Sequence, residues 1–350
     1  MLSFLRRPPQ AKASATGAIA ALHGAGRPVW TPRDIASLTR QSYVTNTIAH
    51  RCVRLVAETA AAIKLVVTDQ GRPETDHPAL ALLNRPNPAQ DNCALMESLY
   101  GHLQIAGNAY LEAVPSPTDG TPRELYTLRP DRMRVIPGAA GWPEGFEYRV
   151  GHKSIRFAQT EDSTPILHIK TFHPLDDHYG LSPLESAAVP VDVHNAASRW
   201  NKALLDNAAR PSGAVVYNGP DASSLAPDQY ERIKEQLESQ HQGAINAGRP
   251  MLLEGGLDWK PMGFSPSDME FMKGKDAAAR EIALAFGVPP LVLGLPGDNT
   301  HANYAEANRA FQSQTIRPLV TKTLSALSHW LSPKFGGGLE IRSEEEGAPN

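Results

Sequence analysis

The sequence has only two cysteines, Cys52 and Cys93, far apart and without a C-x-x-C pair. That excludes a disulfide framework and a cysteine-built structural zinc site, and it fits a reducing cytoplasm. No stretch approaches the roughly 18 consecutive apolar residues of a membrane span. Basic charge is not in excess: 34 Lys and Arg stand against 37 Asp and Glu, a net charge of −3. A tight nucleic-acid binder usually carries the opposite balance. Aromatic residues make up only 7 %. The common catalytic signatures are missing as well. There is no GxxxxGK[ST] phosphate loop, no GxGxxG after a strand, no GxSxG elbow and no HExxH. No internal repeat of fixed period occurs.

What is abundant is punctuation. Thirty prolines and 27 glycines divide the chain into short elements joined by firm turns. The 350 residues suit two or three domains. Residues 1–29 carry the pair Arg6-Arg7 followed directly by prolines, with no apolar core of signal-peptide length, and read as a flexible arm. Thr31-Pro32-Arg33-Asp34 reads as a helix start, a cap and then proline in the first turn. Ile35, Leu38, Val44, Ile48, Cys52, Leu55, Val56 and Ile63 recur mostly at spacings of three and four, predicting one long amphipathic helix or two in series. A strand at 65–67, a helix opened by His77-Pro78 and a helix over 93–107 follow. Strand patterns then occupy 108–114, both sides of the Arg129-Pro130-Asp131 turn, 146–150 and 165–170. This half is α+β, with helices early and an antiparallel sheet after them.

The second half changes character. Ser182-Pro183 opens a helix reaching about Ala209, interrupted at most at Pro190. Strands are predicted at SGAVVY, RPMLLE and LDWKPMGF, with a helix from Ala226 to about Gln242 among them. Ser265-Pro266 opens a helix that ends at Gly287. After the loop LPGDNTHANY, Asn303 leads into a helix of about thirty residues ending near Trp330. Residues 333–350 are glycine-rich and then acidic, and are expected to be disordered. The piece 211–264, bounded by helices, is placed to project from the main body.

Two polar clusters invite a chemical reading. His173, Asp176, Asp177 and His178 are metal-ligand types, and a hydrolytic metal site needs such a set plus an open position. Their proline- and glycine-bounded loop reads equally as a polar surface turn. The second cluster is Asp298, Asn299, Thr300, His301 and Asn303. Gly297-Asp298-Asn299 is a turn former, Asp298 or Asn299 suits a helix cap, and His301 has no serine or cysteine beside it. Trp200 and Cys52 read as packing residues, and ERIKEQLE as a solvated helix face.

The order of motifs is more telling than any one of them. HIKTFHPLDDHYGLSPLESAAVPV, NAARPSGAVVY, INAGRPMLLEGGLDWKPMGFSPSDMEFM, EIALAFGVPPLVLG and NYAEANRAFQSQTIRPL follow in series. The series resembles the portal (head-to-tail connector) proteins of tailed bacteriophages, a broad family that includes prophage and gene-transfer-agent portals. The resemblance covers about residues 30 to 332. It implies the portal fold, with an α/β wing at 30–182, a first stem helix at 183–210 and a small α/β clip at 211–264. A second stem helix at 265–287, a tunnel loop region at 288–303 and a long helix with a minimal crown at 304–332 complete it. It also implies a homo-oligomeric ring, usually of twelve subunits, around a channel for double-stranded DNA at one capsid vertex of a virion assembled in the bacterial cytoplasm. Terminase large subunit, head-tail adaptor and major capsid protein are the implied partners, without enzyme activity, cofactor, metal or membrane. Asp298, Asn299, Thr300, His301 and Asn303 are implied to face the channel. Tyr230, Arg232, Lys234, Glu235 and Trp259 in the clip are implied to meet the motor and adaptor.

Charge patterning agrees with a conduit. Each phosphate neutralised by Lys or Arg releases counterions and tightens binding, so a strongly basic bore would brake moving DNA. Over 183–210, Arg199, Lys202 and Arg210 balance Glu185, Asp192 and Asp206. Over 266–287, Lys273, Lys275 and Arg280 meet Asp268, Glu270, Asp276 and Glu281, a net of minus one. The rival readings are a metal-dependent hydrolase built on His173, Asp176, Asp177 and His178, and a capsid adaptor without a DNA channel.

Overall fold

The computed structural model describes residues 30–160, 163–206, 213–217, 257–261, 266–296 and 301–344, with isolated positions 228, 231, 232 and 235. The first helix begins later than Thr31-Pro32 suggests. Asp34 caps α1 (Ile35–Thr39), its carboxylate accepting from the Ser37 N–H at 2.9 Å. Thr31 instead bonds the Asp192 carboxylate through its N–H at 2.9 Å and through its hydroxyl. A π-helical turn, Arg40–Val44, follows, and Asn46 caps a new helix, α2 (Thr47–Ala61), by accepting from the N–H groups of Ile48 and Ala49. The amphipathic run is therefore two helices in series.

β1 (Leu65–Asp69) and the short β2 (Arg72–Pro73) come next, then α3 (Pro78–Asn84) and α4 (Asn92–Ala106). His77 Nδ1 caps α3, accepting from the Ala79 N–H at 3.1 Å, with proline at the first helical position. Gly107 ends α4 in the left-handed region, φ 67°. The strands that follow form two antiparallel three-stranded sheets rather than one. β3 (Asn108–Pro115) lies between β4 (Pro122–Leu128) and β8 (Ile166–Lys170). β6 (Pro143–Val150) lies between β5 (Met133–Pro137) and β7 (Lys153–Ala158). The Arg-Pro-Asp turn is thus a corner between sheets, a short 3₁₀ turn at Pro130–Arg132. β7 was not expected from the sequence, because KSIRFA is exposed at nearly every position and alternates only over Ile155-Arg156-Phe157.

The expected helix from Ser182 breaks at Ala187, not at Pro190. α5 (Pro183–Ser186) is a single turn capped by the Ser182 hydroxyl, and α6 (Ala188–Asp206) carries Pro190 in its first turn, where a missing N–H costs little. β9 (Gly213–Tyr217) pairs antiparallel with β10 (Leu257–Pro261). α7 (Pro266–Ala285) follows, then α8 (His301–Phe311), a π-helical turn at Gln312–Ile316 and α9 (Arg317–Leu331). The widened turn sits just before Pro318, whose ring crowds the carbonyl four residues back and which has no N–H to give.

Of the tail expected to be disordered, residues 333–344 are ordered. β11 (Leu339–Ser343) pairs antiparallel with β1, Leu65 opposite Ser343 and Val67 opposite Ile341. Leu339, Ile341 and Ser343 point inward while Glu340 and Arg342 point out. The period of two outweighs the glycine-rich, acidic composition. Gly336, Gly337 and Gly338 all take positive φ and turn the chain back from α9. One core draws on α2, α4, α7, α9, β1, β3 and β11. A smaller one joins the two sheets through Tyr110, Leu128, Met133, Val135, Phe146 and Ile166.

Candidate functional site

α6 and α7 lie side by side and antiparallel: His194 faces Lys275 and Asp276, while Asn201 donates to Met272 Sδ at 3.4 Å. The β9–β10 pair is connected to their far ends in sequence. Their near ends are anchored in the body. Asn46 Nδ2 meets His194 Nδ1 at 3.1 Å and Asn195 Oδ1 at 2.9 Å, and Asn195 Nδ2 donates to Gln41 O at 2.8 Å. Asn46 therefore caps α2 and ties α6 to it. His194 is buried, and burial together with Lys275 lowers its pKa, so the ring stays neutral near pH 7 and fits a hydrogen-bonded position. Ile282 and Ala283 on the inner face of α7, and Phe286 just after it, are buried in the core of the body.

The base of the loop after α7 is compact. Gly287 adopts φ 64°, and its carbonyl accepts from the Thr315 hydroxyl at 2.6 Å. Pro289 and Pro290 start consecutive turns in which Val292, Leu293 and Leu295 donate back to them, and Arg280 donates to Pro296 O. Asp298, Asn299 and Thr300 lie outside the described residues. His301 and Asn303 stand on the first turn of α8, with Asn303 exposed. Of the clip residues, Tyr230 and Lys234 lie outside the described residues. Arg232 is exposed and pairs with Asp228 at 3.9 Å, one helical turn away, and Glu235 is exposed. Trp259 sits on β10 opposite Val215.

The 173–178 cluster serves its own backbone. His173 Nδ1 accepts from the Leu175 N–H at 3.0 Å, and Asp176 Oδ1 accepts from the N–H groups of His178 and Tyr179 at 2.7 and 2.9 Å. These bonds hold the Asp176 carboxyl below its usual range. Among the described residues no group of three or more His, Cys, Asp or Glu converges as a metal site. A cleft of about 500 Å³ between β3, β8 and the end of α9 went unnoticed in the sequence. In it Lys334 donates to Thr164 Oγ1 at 3.0 Å and lies 5.5 Å from the Trp330 ring centroid.

The fold has known counterparts. The chain is 57 % identical to one from the neck of an empty gene transfer agent particle, with a TM-score of 0.77, covering 95 % of this chain and 90 % of that one. A chain from the neck of the native particle, computed with C12 symmetry, is likewise 57 % identical, with a TM-score of 0.75 and coverage of 96 % and 91 %. The portal protein of Enterobacteria phage HK97 is 26 % identical over 292 residues, 81 % of this chain and 66 % of that protein. The phage portal protein family matches residues 47–347, every described element from α2 to β11 included. The antiparallel helix pair, the helix α2 to which it is tied and the C-terminal strand all fall within that match, and the chain belongs to the phage portal protein family.

Proposed function

We propose that the chain is one protomer of a ring at a single capsid vertex, through whose bore double-stranded DNA enters and leaves the particle. One observation carries this reading. An antiparallel helix pair, anchored in an α/β body and with a strand pair between its helices in sequence, is found in a chain 57 % identical to one from a particle neck computed with C12 symmetry. In this reading residues 30–182 are the wing, α5–α6 and α7 the stem, 211–264 the clip and 288–303 the tunnel loop region, followed by the long helix at 304–332. The near balance of charge on the stem suits passage without retention. The compact turns at 288–296 would present Asp298, Asn299, Thr300, His301 and Asn303 to the channel. The clip, through Tyr230, Arg232, Lys234, Glu235 and Trp259, would dock the packaging motor and later the adaptor.

Electron microscopy of the purified protein tests the ring: twelve-fold end views are expected, and a monomer at every concentration and salt would overturn it. Deleting residues 296–301 separates a conduit from an adaptor. A conduit loses packaging or retention of DNA while rings still form, whereas an adaptor packages normally.

A further inference from the structure

The loop between β8 and α5, residues 171–182, is tied down along its length. Besides the bonds of His173 and Asp176, the Lys170 ammonium donates to Asp177 O and the Thr171 hydroxyl donates to Leu181 O at 2.6 Å. The Tyr179 hydroxyl accepts from the Val135 N–H at 3.0 Å, pinning the loop to β5. On this frame Phe172 is 82 % exposed and Leu175 91 % exposed. A polar turn with the same bonds needs neither side chain. Single exposed apolar residues are ordinary on any surface. Two large ones, three positions apart on a pre-formed loop, make a contact whose ordering cost is already met.

We propose that the 171–180 loop is the projecting half of the contact between neighbouring copies of this chain, with Phe172 and Leu175 inserted against the next protomer. The proposal rests on the ring reading above. A closed ring uses a heterologous contact, in which one patch meets a different patch on the next copy. A protruding apolar loop supplies one side. Side chains of matching chemistry are exposed elsewhere on the same chain: Val189 and Val193, one turn apart on α6, and Leu284 on α7. The C12 neck of the 57 % identical chain makes a second copy the occupant to test. Asp176 spends its carboxylate on the loop's own N–H groups, so it is already hydrogen-bonded when the loop docks.

The test compares the full-length chain with Phe172→Ser/Leu175→Ser by mass photometry and thermal unfolding, and places a photo-crosslinking amino acid at position 172 of an otherwise native chain. The variant should unfold near the native temperature yet require about a hundredfold higher concentration to assemble. The crosslinker should give an intersubunit ladder. Assembly unchanged in a folded variant would overturn the proposal, as would crosslinks that stay within one chain or reach only capsid or adaptor protein in particles. If the variant misfolds, the crosslinker alone decides. Absence of rings from the native chain would instead bring down the ring reading itself, and this proposal with it.

Discussion

Gly107 and Gly180 meet backbone to backbone where the first three-stranded sheet joins the loop leading to α5. A methyl group at Gly180 would lie 2.7 Å from Thr171 N and closer still to Gly107 O. Neither neighbour is a side chain that can swing away. Gly180→Ala is therefore expected to destabilise the fold by about 1–3 kcal/mol or more, read as a lower urea midpoint at unchanged m-value. Two histidines set a pH dependence. His168 stacks on Tyr110 with ring centroids 4.3 Å apart and bonds Asn108 Oδ1 at 2.9 Å. Burial, reinforced by Lys170, drops its pKa to about 3. Burial drops that of His102 to about 4. The unfolded chain protonates both rings below about pH 6.5 and the folded chain does not until far lower. Stability present above pH 6.5 is thus lost as pH falls, by up to about 1.4 kcal/mol per pH unit for each ring. Urea midpoints from pH 7 to 4.5 should show this slope, and His168→Phe should reduce it. A slope unchanged by that substitution would mean His168 is protonated in the fold. These contacts were not legible in the sequence, because besides any local bonds Asn108, His168 and Asn46 meet hydrogen-bond partners 60 or more positions away.

At the scale of elements, patterns longer than a turn were readable and those broken by composition were not. The helices that start at Pro183 and Pro266 were readable because a cap or a proline marks each start, whereas the helix expected from Ala226 to about Gln242 lies outside the described residues. The break at Ala187 left no such mark. β7 carries only the short alternation Ile155-Arg156-Phe157, because it is an edge strand in which Phe157 alone packs partly against the smaller core. β11 was hidden by Gly336-Gly337-Gly338 and the acids beyond it, although Leu-Glu-Ile-Arg-Ser alternates cleanly. It is the piece most easily tested. Leu339 and Ile341 are buried against Val67 and α9, and the Ser328 hydroxyl accepts from the Ile341 N–H at 2.8 Å. Burial of one such side chain is worth about 1.5–3 kcal/mol. Ending the chain at Gly338 should remove about 3–6 kcal/mol of stability and raise hydrogen exchange along β1. A truncated chain as stable as the full one would show that β11 is dispensable.

For the whole molecule, the decisive quantity is charge summed around a ring. α7 carries Asp276 and Glu281, both exposed, and neither is needed for the buried face formed by Ala278, Ala279, Ile282 and Ala283. The family was legible because five weak motifs keep their order, yet the sequence could not say which side chains face a bore, since that is decided between copies and not within one. The proposed conduit turns this into a measurement. In a ring with the C12 symmetry of the related neck, each substitution is repeated in every subunit. Asp276→Lys/Glu281→Lys should leave the fold intact, because both positions are solvated. If α7 lines the channel, the added lysines contact phosphate and release counterions, so DNA affinity rises and falls steeply with salt. Packaging by such particles should slow at low salt and recover as salt increases, while ring formation stays normal. Packaging insensitive to the substitution at every salt concentration would mean that α7 turns this face away from the DNA.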